Sequence, residues 1–430
     1  MRKFKFFSLL TLFIMLILLT SCSMSSGSKG DYYAPGSSGG LAGGATEGGY
    51  SSEDSSLESP GEYEPTSPDD EDSSKNQGPV AGQITAAEWN DHENYDFWCN
   101  LFKSNQENQN GLFSNYFTKL NSFNSQINTQ NMITIKVLND SKPVINLPVT
   151  IKNDTYTFNG MTNAAGIAYL FLPYETSFPY IIEYNNNSYE LTDNTTDVIE
   201  LSTSNIDQNT KYPLELMFVI DTTGSMGDEL SYLKSEVKDV IEQIDTNNDI
   251  RLSLLFYRDN GDQYVTRFFD FTTDIDQQIV NISNQHASGG GDYEEAVDTA
   301  LNLAVTQASW SENSNKILIH VLDAPPHSTK QNINLFASSI LSAAEKGIRI
   351  IPVASSGIDK WTEFLLRTEA LITGGTYTYI TNHSGIGGDH IDATVESVVV
   401  EYLNDMLVRL INEFYTGIDS TPIPFNQIEK

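Results

Sequence analysis

Cysteine is almost absent. Two in 430 residues exclude the disulfide framework that many exported domains depend on. Cys99 lies among Phe97, Trp98, Leu101 and Phe102 and reads as a packed, inert thiol. Histidine is scarce as well, at six, and His383 with His390 does not give the i,i+4 spacing of a helical zinc pair. Basic residues number 24 against 57 acidic ones, a net charge of −33. Phosphate backbones would be repelled, so nucleic acid is disfavoured as a partner. Neither the glycines at 289–291 nor Gly385-Ile-Gly387-Gly388 are followed by the Gly-Lys-Ser/Thr of a phosphate-binding loop. Gly224-Ser225-Met226-Gly227 lacks the spacing of a serine-hydrolase elbow.

What is present begins with one long apolar run, Phe6 to Leu19, behind Arg2, Lys3 and Lys5. Residues 1–21 read as a secretory signal. Leu19-Thr20-Ser21-Cys22 resembles the lipobox of bacterial lipoproteins. That resemblance implies cleavage before Cys22 and acylation of its thiol and new amino group. Left uncleaved, the run would itself be a membrane anchor. Either way the remainder is expected outside the cytoplasm, on the cell surface or facing the periplasm, tethered to the membrane. Residues 22–80 are Ser, Gly, Pro and acid with few apolar side chains, a composition that predicts a disordered linker. As a coil it would span roughly 45 Å.

Aromatics crowd residues 81–130, among them Trp89, Tyr95, Trp98, Phe113, Tyr116 and Phe117. Thr85-Ala-Ala-Glu88 matches a capping box, so the segment is expected to be helical and to pack on its neighbour. An exposed aromatic platform for sugars is the alternative. Residues 131–204 give about seven short strands separated by turn signals, which predicts a small antiparallel sandwich. The stretch KPVINLPVTI…GMTNAAGIAYLFLP resembles carboxypeptidase-regulatory and bacterial Ig-like repeats. It carries no cluster of carboxylates or histidines and reads as a spacer or platform.

Residues 211–417 alternate strand and helix, the pattern of a doubly wound α/β sheet, and 418–430 form a tail. One predicted helix spans Ile391–Tyr415, with Val395, Val399, Tyr402, Met406, Leu410 and Phe414 on a stripe. The organising stretch is LELMFVIDTTGSM, Leu214 to Met226. Its apolar run reads as a strand buried on both faces. It stops at Asp221, with Thr223 and Ser225 at alternate positions and Gly224 between them. A carboxylate and two hydroxyls at a strand's carboxyl end suit a hard cation, where open α/β sheets place their ligands. The bland alternative is a helix cap. Two more stretches argue against it: SGGGDYEEA, with Asp292, Glu294 and Glu295, and KILIHVLDAPPH, a second buried strand ending in Asp323.

At these three stretches the chain resembles the von Willebrand factor type A family and its metal-ion-dependent adhesion site. The resemblance implies a sheet ordered 3-2-1-4-5-6, with Asp221 and Asp323 on adjacent strands. It implies Mg²⁺ (or Mn²⁺ or Ca²⁺) bound by Asp221, Thr223, Ser225 and Asp323. The middle loop departs from the usual pattern, because Gly291 stands where the family has Thr. D-Y-E-E is similar instead to the D-x-P-E of integrin β subunits, which points to Glu295 as ligand, with Asp292 as the alternative. His327 is placed near the rim, or simply on a surface loop. The function implied is binding of a protein ligand that offers a carboxylate to the ion. A metal-dependent hydrolase and a non-adhesive scaffold subunit are the alternatives. No positioned nucleophile and base pair is visible, so no enzymatic activity is expected.

Overall fold

The computed structural model describes residues 79–104, 111–207, 210–244 and 250–427. The signal segment, Cys22 and nearly all of the acidic linker lie outside the described residues.

The first element corrects an expectation. Thr85–Trp89 is a strand, β1, and not the start of a helix. Glu88 cannot close a capping box, because its carboxylate accepts from Arg409 Nη2 (2.9 Å) and Thr376 Oγ1 (2.9 Å). The 81–130 segment is therefore only partly helical, with α1 (Tyr95–Asn100) and α2 (Ser114–Ser122) following. Their aromatics face inward. Trp98 and Phe113 are wholly buried against Phe364 and each other. Burial leaves those two rings no face for a sugar. Cys99 is a free thiol, half-buried, its pKa pushed up by burial.

Eight strands then form two four-stranded sheets. They are β2 (Met132–Asn139), β3 (Lys142–Pro143), β4 (Pro148–Lys152), β5 (Thr157–Met161), β6 (Ile167–Phe171), β7 (Tyr180–Tyr184), β8 (Asn187–Leu191) and β9 (Ile199–Thr203). One sheet holds β3, β2 and β6, with β9 parallel to β2; the other runs β5-β4-β7-β8. Alternation does the work: β2 buries Ile133, Ile135 and Val137 and turns Thr134, Lys136 and Leu138 outward.

The α/β part follows as β10 (Leu214–Asp221), α3 (Gly227–Gln243), β11 (Ile250–Tyr257), β12 (Thr266–Thr272), α4 (Ile275–Ser283) and α5 (Val297–Thr306). Then come β13 (Asn315–Leu322), α6 (Lys330–Lys346), β14 (Ile348–Ala354), α7 (Lys360–Thr373), β15 (Tyr377–Ile380), β16 (Val400–Tyr402) and α8 (Leu403–Thr416). The sheet order is β12-β11-β10-β13-β14-β15-β1-β16. Its first six members reproduce the 3-2-1-4-5-6 order, with β12 antiparallel at the edge. All eight residues of β10 and of β13 are buried, as expected of strands covered on both faces. Each Leu, Ile or Phe there contributes about 1.5–3 kcal/mol by burial.

Strand β1 lies between β15 and β16, antiparallel to both. The chain thus enters the α/β sheet, leaves to build the sandwich, and returns. The long helix predicted over 391–415 is also corrected: its first half is loop and strand, and α8 begins only at Leu403. Val398, Val399 and Val400 are stiff, β-branched residues that favour extended chain, and β1 offers them a partner edge.

Three contacts fix the N-terminal arm. Glu236 of α3 accepts from the backbone N–H groups of Gly82, Gln83 and Ile84 at 2.8–3.1 Å. Asp91 pairs with Arg367. His92 stacks on Tyr169, centroids 3.8 Å apart. The sandwich packs near the amino ends of β13 and β14: Asn146 Nδ2 donates to Ser314 O (2.9 Å), and Arg349 Nη2 to Met161 O (2.6 Å). No helix among the described residues is long and apolar enough to cross a membrane.

Candidate metal centre

The carboxyl ends of β10, β11 and β13 lie side by side, so the loops that follow them converge. Asp221 closes β10 with its side chain fully buried. Its Oδ1 accepts from the Thr223 N–H (2.8 Å) and the Thr223 hydroxyl (2.7 Å). Thr223 Oγ1 stands 3.2 Å from Ser225 Oγ. The Ser225 hydroxyl in turn bonds Asp323, the residue just past β13. Asp221, Thr223, Ser225 and Asp323 are therefore strung on one line of oxygen atoms. Neither the turn at Gly224–Met226 nor α3 has a side-chain cap bond, which sets aside the helix-cap reading.

Glu295 reaches the same edge from the middle loop. Its N–H donates to Pro325 O (3.0 Å), stitching that loop to the one after β13. Ser288 N–H donates to Thr222 O, and Gly224 N–H to Gly289 O (both 3.0 Å). The loops pass so closely that glycine is required. A Cβ on Gly224 would lie 2.9 Å from Gly289 O. One on Gly290, at φ +74°, would lie 2.8 Å from Glu295 Oε1.

One oxygen of each acid is left over. Asp221 Oδ2, Asp323 Oδ1 and Glu295 Oε2 are buried with no partner. Burial and the charge of Asp323 push Asp221 up to about 7. Burial, then the charges of Asp221, Asp259, Asp323 and Asp262, push Glu295 up to about 9. Burial raises Asp323, against its bond from Ser225. Buried, unpaired, mutually repelling carboxylates are costly unless a positive charge joins them. Three orphaned carboxylate oxygens with two hydroxyls, all oxygen, fit a hard divalent cation.

Asp292 sits differently from Glu295. Asp292 is exposed, and its carboxylate groups with Asp259 and His327, one ligand atom of each lying within 4.8 Å of the others. Of the two middle-loop candidates, Glu295 is the one placed with Asp221 and Asp323. His327, 20% exposed, has Nε2 2.7 Å from Asp259 Oδ1. Burial pulls its pKa down, but the bond and charge of Asp259 outweigh it and the net shift is upward. Asp259 and Asp262 went unnoticed in the sequence. The signal was there: R-D-N-G-D follows the apolar strand IRLSLLFY just as Asp221 and Asp323 follow theirs. Asp262 Oδ2 accepts the N–H groups of Asp259 (3.1 Å) and Gly290 (2.8 Å) and so ties this loop to the glycine loop.

Residues 215–385 match the family model of the von Willebrand factor A domain, and the chain carries that domain. Among curated proteins, an ariadne-like RING finger protein, R811, of Acanthamoeba polyphaga mimivirus is 28% identical over 222 residues, 48% of this chain and 21% of that protein. The alpha-protein kinase vwkA of Dictyostelium discoideum is 30% identical over 122 residues, 27% of this chain and 19% of that one. The chain spans about a fifth of the length of these relatives. Similar solved structures include BatB from Bacteroides thetaiotaomicron, at TM-score 0.34 and 14% identity, covering 47% of this chain and 98% of that one. An aerotolerance-related membrane protein of Bacteroides fragilis gives TM-score 0.33 and 14% identity, covering 48% and 100%.

Proposed function

We propose that the protein is a surface-tethered binding module whose von Willebrand factor A domain takes an acidic protein ligand through a divalent cation, Mg²⁺ or Mn²⁺. The observation that carries this reading is the set of three buried, partnerless carboxylate oxygens beside the Thr223 and Ser225 hydroxyls. Asp221 orients Thr223 through two bonds to one oxygen and keeps the other free for the ion. Ser225 links that strand end to Asp323. Glu295 closes the set from the middle loop. When bound, the ion offers an electrophilic position that a partner's carboxylate can fill. Anchoring runs through lipid on Cys22 and the acidic linker. The role we infer is binding rather than turnover, and the His327 imidazole beside these loops is engaged by Asp259.

The test is capture of partners from surface extracts on wild-type and Asp221→Ala protein, with Mg²⁺ and with EDTA. Captured protein that EDTA releases, and that Asp221→Ala fails to hold, supports the reading. Capture indifferent to both sinks it.

A further inference from the structure

We propose that a cavity walled by Tyr232, His383, Tyr402 and Phe425 binds a small quaternary ammonium alcohol of the choline type. The cavity measures about 360 Å³ and reaches Thr85, at the start of β1. Its rings come from four segments far apart in sequence: α3, the loop after β15, β16 and the tail past α8. None of the four belongs to the Asp221 set. Phe425 is carried in by the tail, which Glu401 Oε1 holds by accepting the Ile423 N–H at 3.1 Å.

The angles between the rings say what shape fits. Phe425 stands edge-on to Tyr402, at 81° with centroids 6.0 Å apart, and is inclined to His383 at 57° and 5.4 Å. Rings set at steep angles make a corner that encloses a rounded group from several sides, as aromatic cages do for methylated ammonium ions. A flat sugar ring would lie on one face only. Tyr232, Tyr402 and Phe425 are part-buried and His383 is exposed, so their surfaces are not closed off in a core.

Charge decides among ligands of that shape. No lysine, arginine, aspartate or glutamate lines the cavity. Nothing there would pair with a carboxylate or phosphate, and the attraction comes from the ring faces. The net charge of −33 draws cations toward the chain. A quaternary ammonium has no N–H to satisfy, and the hydroxyl of such a ligand meets polar groups in Gln83 and Ser384, which line the same space.

The test titrates the full chain with choline, read by saturation-transfer NMR at the trimethylammonium protons. Its comparison arms are phosphocholine, phosphatidylcholine vesicles and the neutral analogue with a tert-butyl group in place of trimethylammonium. Choline should saturate, and the neutral analogue and phosphocholine should each bind at least about threefold more weakly. Tyr232→Leu and Phe425→Leu keep an apolar side chain but remove the π face, and each should weaken choline at least about threefold. Tyr232 is part-buried on α3, so its variant folds even where loss of Phe425 frees the tail. Asp221→Ala should bind choline as wild type does. No saturable choline binding overturns the proposal. So does equal binding of the neutral analogue, which would make this a plain apolar pocket. Choline binding unchanged in either leucine variant overturns it as well, and leaves these rings as an anchor for the tail only. Phosphocholine or the vesicles preferred over choline would assign the site to a lipid headgroup, and choline binding lost in Asp221→Ala would assign it to the metal edge; either result overturns the proposal.

Discussion

Arg367 grips Asp91 with two prongs, Nε to Oδ2 at 2.8 Å and Nη2 to Oδ1 at 2.5 Å, both side chains buried. The Trp89 indole N–H adds a third bond to Asp91 Oδ1 at 3.0 Å. This pair joins the segment just after β1 to the middle of α7. Removing Asp91 takes both prongs from a buried guanidinium and leaves it only the Thr394 carbonyl and Glu363, 3.5 Å away. Asp91→Ala should therefore cost about 3–5 kcal/mol, read from the urea midpoint at pH 7. A cost below about 1 kcal/mol, the value of a surface pair, would show that the arm is held by its strand bonds alone.

The cation should stabilise the fold, because the Asp221 set comes together only when the loops are folded. Mg²⁺ at a hundred times its Kd should add about 2.7 kcal/mol, seen as a rise in Tm that EDTA reverses. Asp221→Ala should lose that response. Without metal it should melt no lower than wild type, since one of three repelling acids is gone. Thr223→Ser keeps the hydroxyl and should respond; Thr223→Val should not. Equal Mg²⁺ shifts in wild type and Asp221→Ala would reduce Asp221 to a support for the turn.

Gly290 faces Glu295 at a positive φ. Gly290→Ala should cost about 1–2 kcal/mol for the left-handed backbone and push Glu295 out of place. The prediction is a lower Tm together with weaker Mg²⁺ binding. Gly261 also has positive φ, but nothing lies within 4 Å of its Cβ position. Gly261→Ala should therefore lower Tm alone, and a matching loss of Mg²⁺ affinity there would argue against the steric account.

His92 gives the fold a one-sided sensitivity to acid. Burial pulls it down to about 3, with the Leu371 carbonyl opposing and Arg349 adding to the shift. The unfolded chain titrates near the ordinary value, about 6.5. Between those values the unfolded state binds the extra proton. The contribution of His92 is therefore complete above about 6.5 and is lost as pH falls toward 3. Plots of stability against pH for wild type and His92→Gln should converge in that window. Parallel curves would rule the imidazole out as the source.

The anchor proposal rests on Cys22. Metabolic labelling with a fatty-acid analogue should mark the wild type, and Cys22→Ala should remain unprocessed or be released from membranes. Unlabelled protein of unchanged size that stays in the membrane fraction would defeat it.

The α/β order was legible because buried strands announce themselves: LELMFVI and KILIHVL carry no alternation, and each ends in an acid. Single acids placed by such strands, Asp221 and Asp323, were legible for the same reason. Glu295 against Asp292 was not. Which of two nearby acids turns inward depends on the bridge between Glu295 and Pro326, a contact between loops far apart in sequence. Strand β1 was misread since TAAEW has a local helix-start signal, and its partners lie almost 300 residues away. Val398–Val400 were absorbed into a helical stripe because valine fits either period. The edge offered by β1 decided the matter.

The place of β1 between β15 and β16 has a mechanical consequence. The sandwich follows β1 in the chain, so it is not a spacer in series between the linker and the metal edge. For a molecule held by its amino end and gripped at the Asp221 loops, tension passes from the linker into β1. It then crosses the antiparallel bonds to β15 and spreads along the sheet, with Glu236 and the Asp91–Arg367 pair as fastenings at either end of β1. The sandwich stays off that path. Thr85 lies beside Thr381 at the same carboxyl edge of the sheet as Asp221, so pulling would load the backbone bonds flanking β1 across the strands, beginning at Thr85, and would bypass the sandwich.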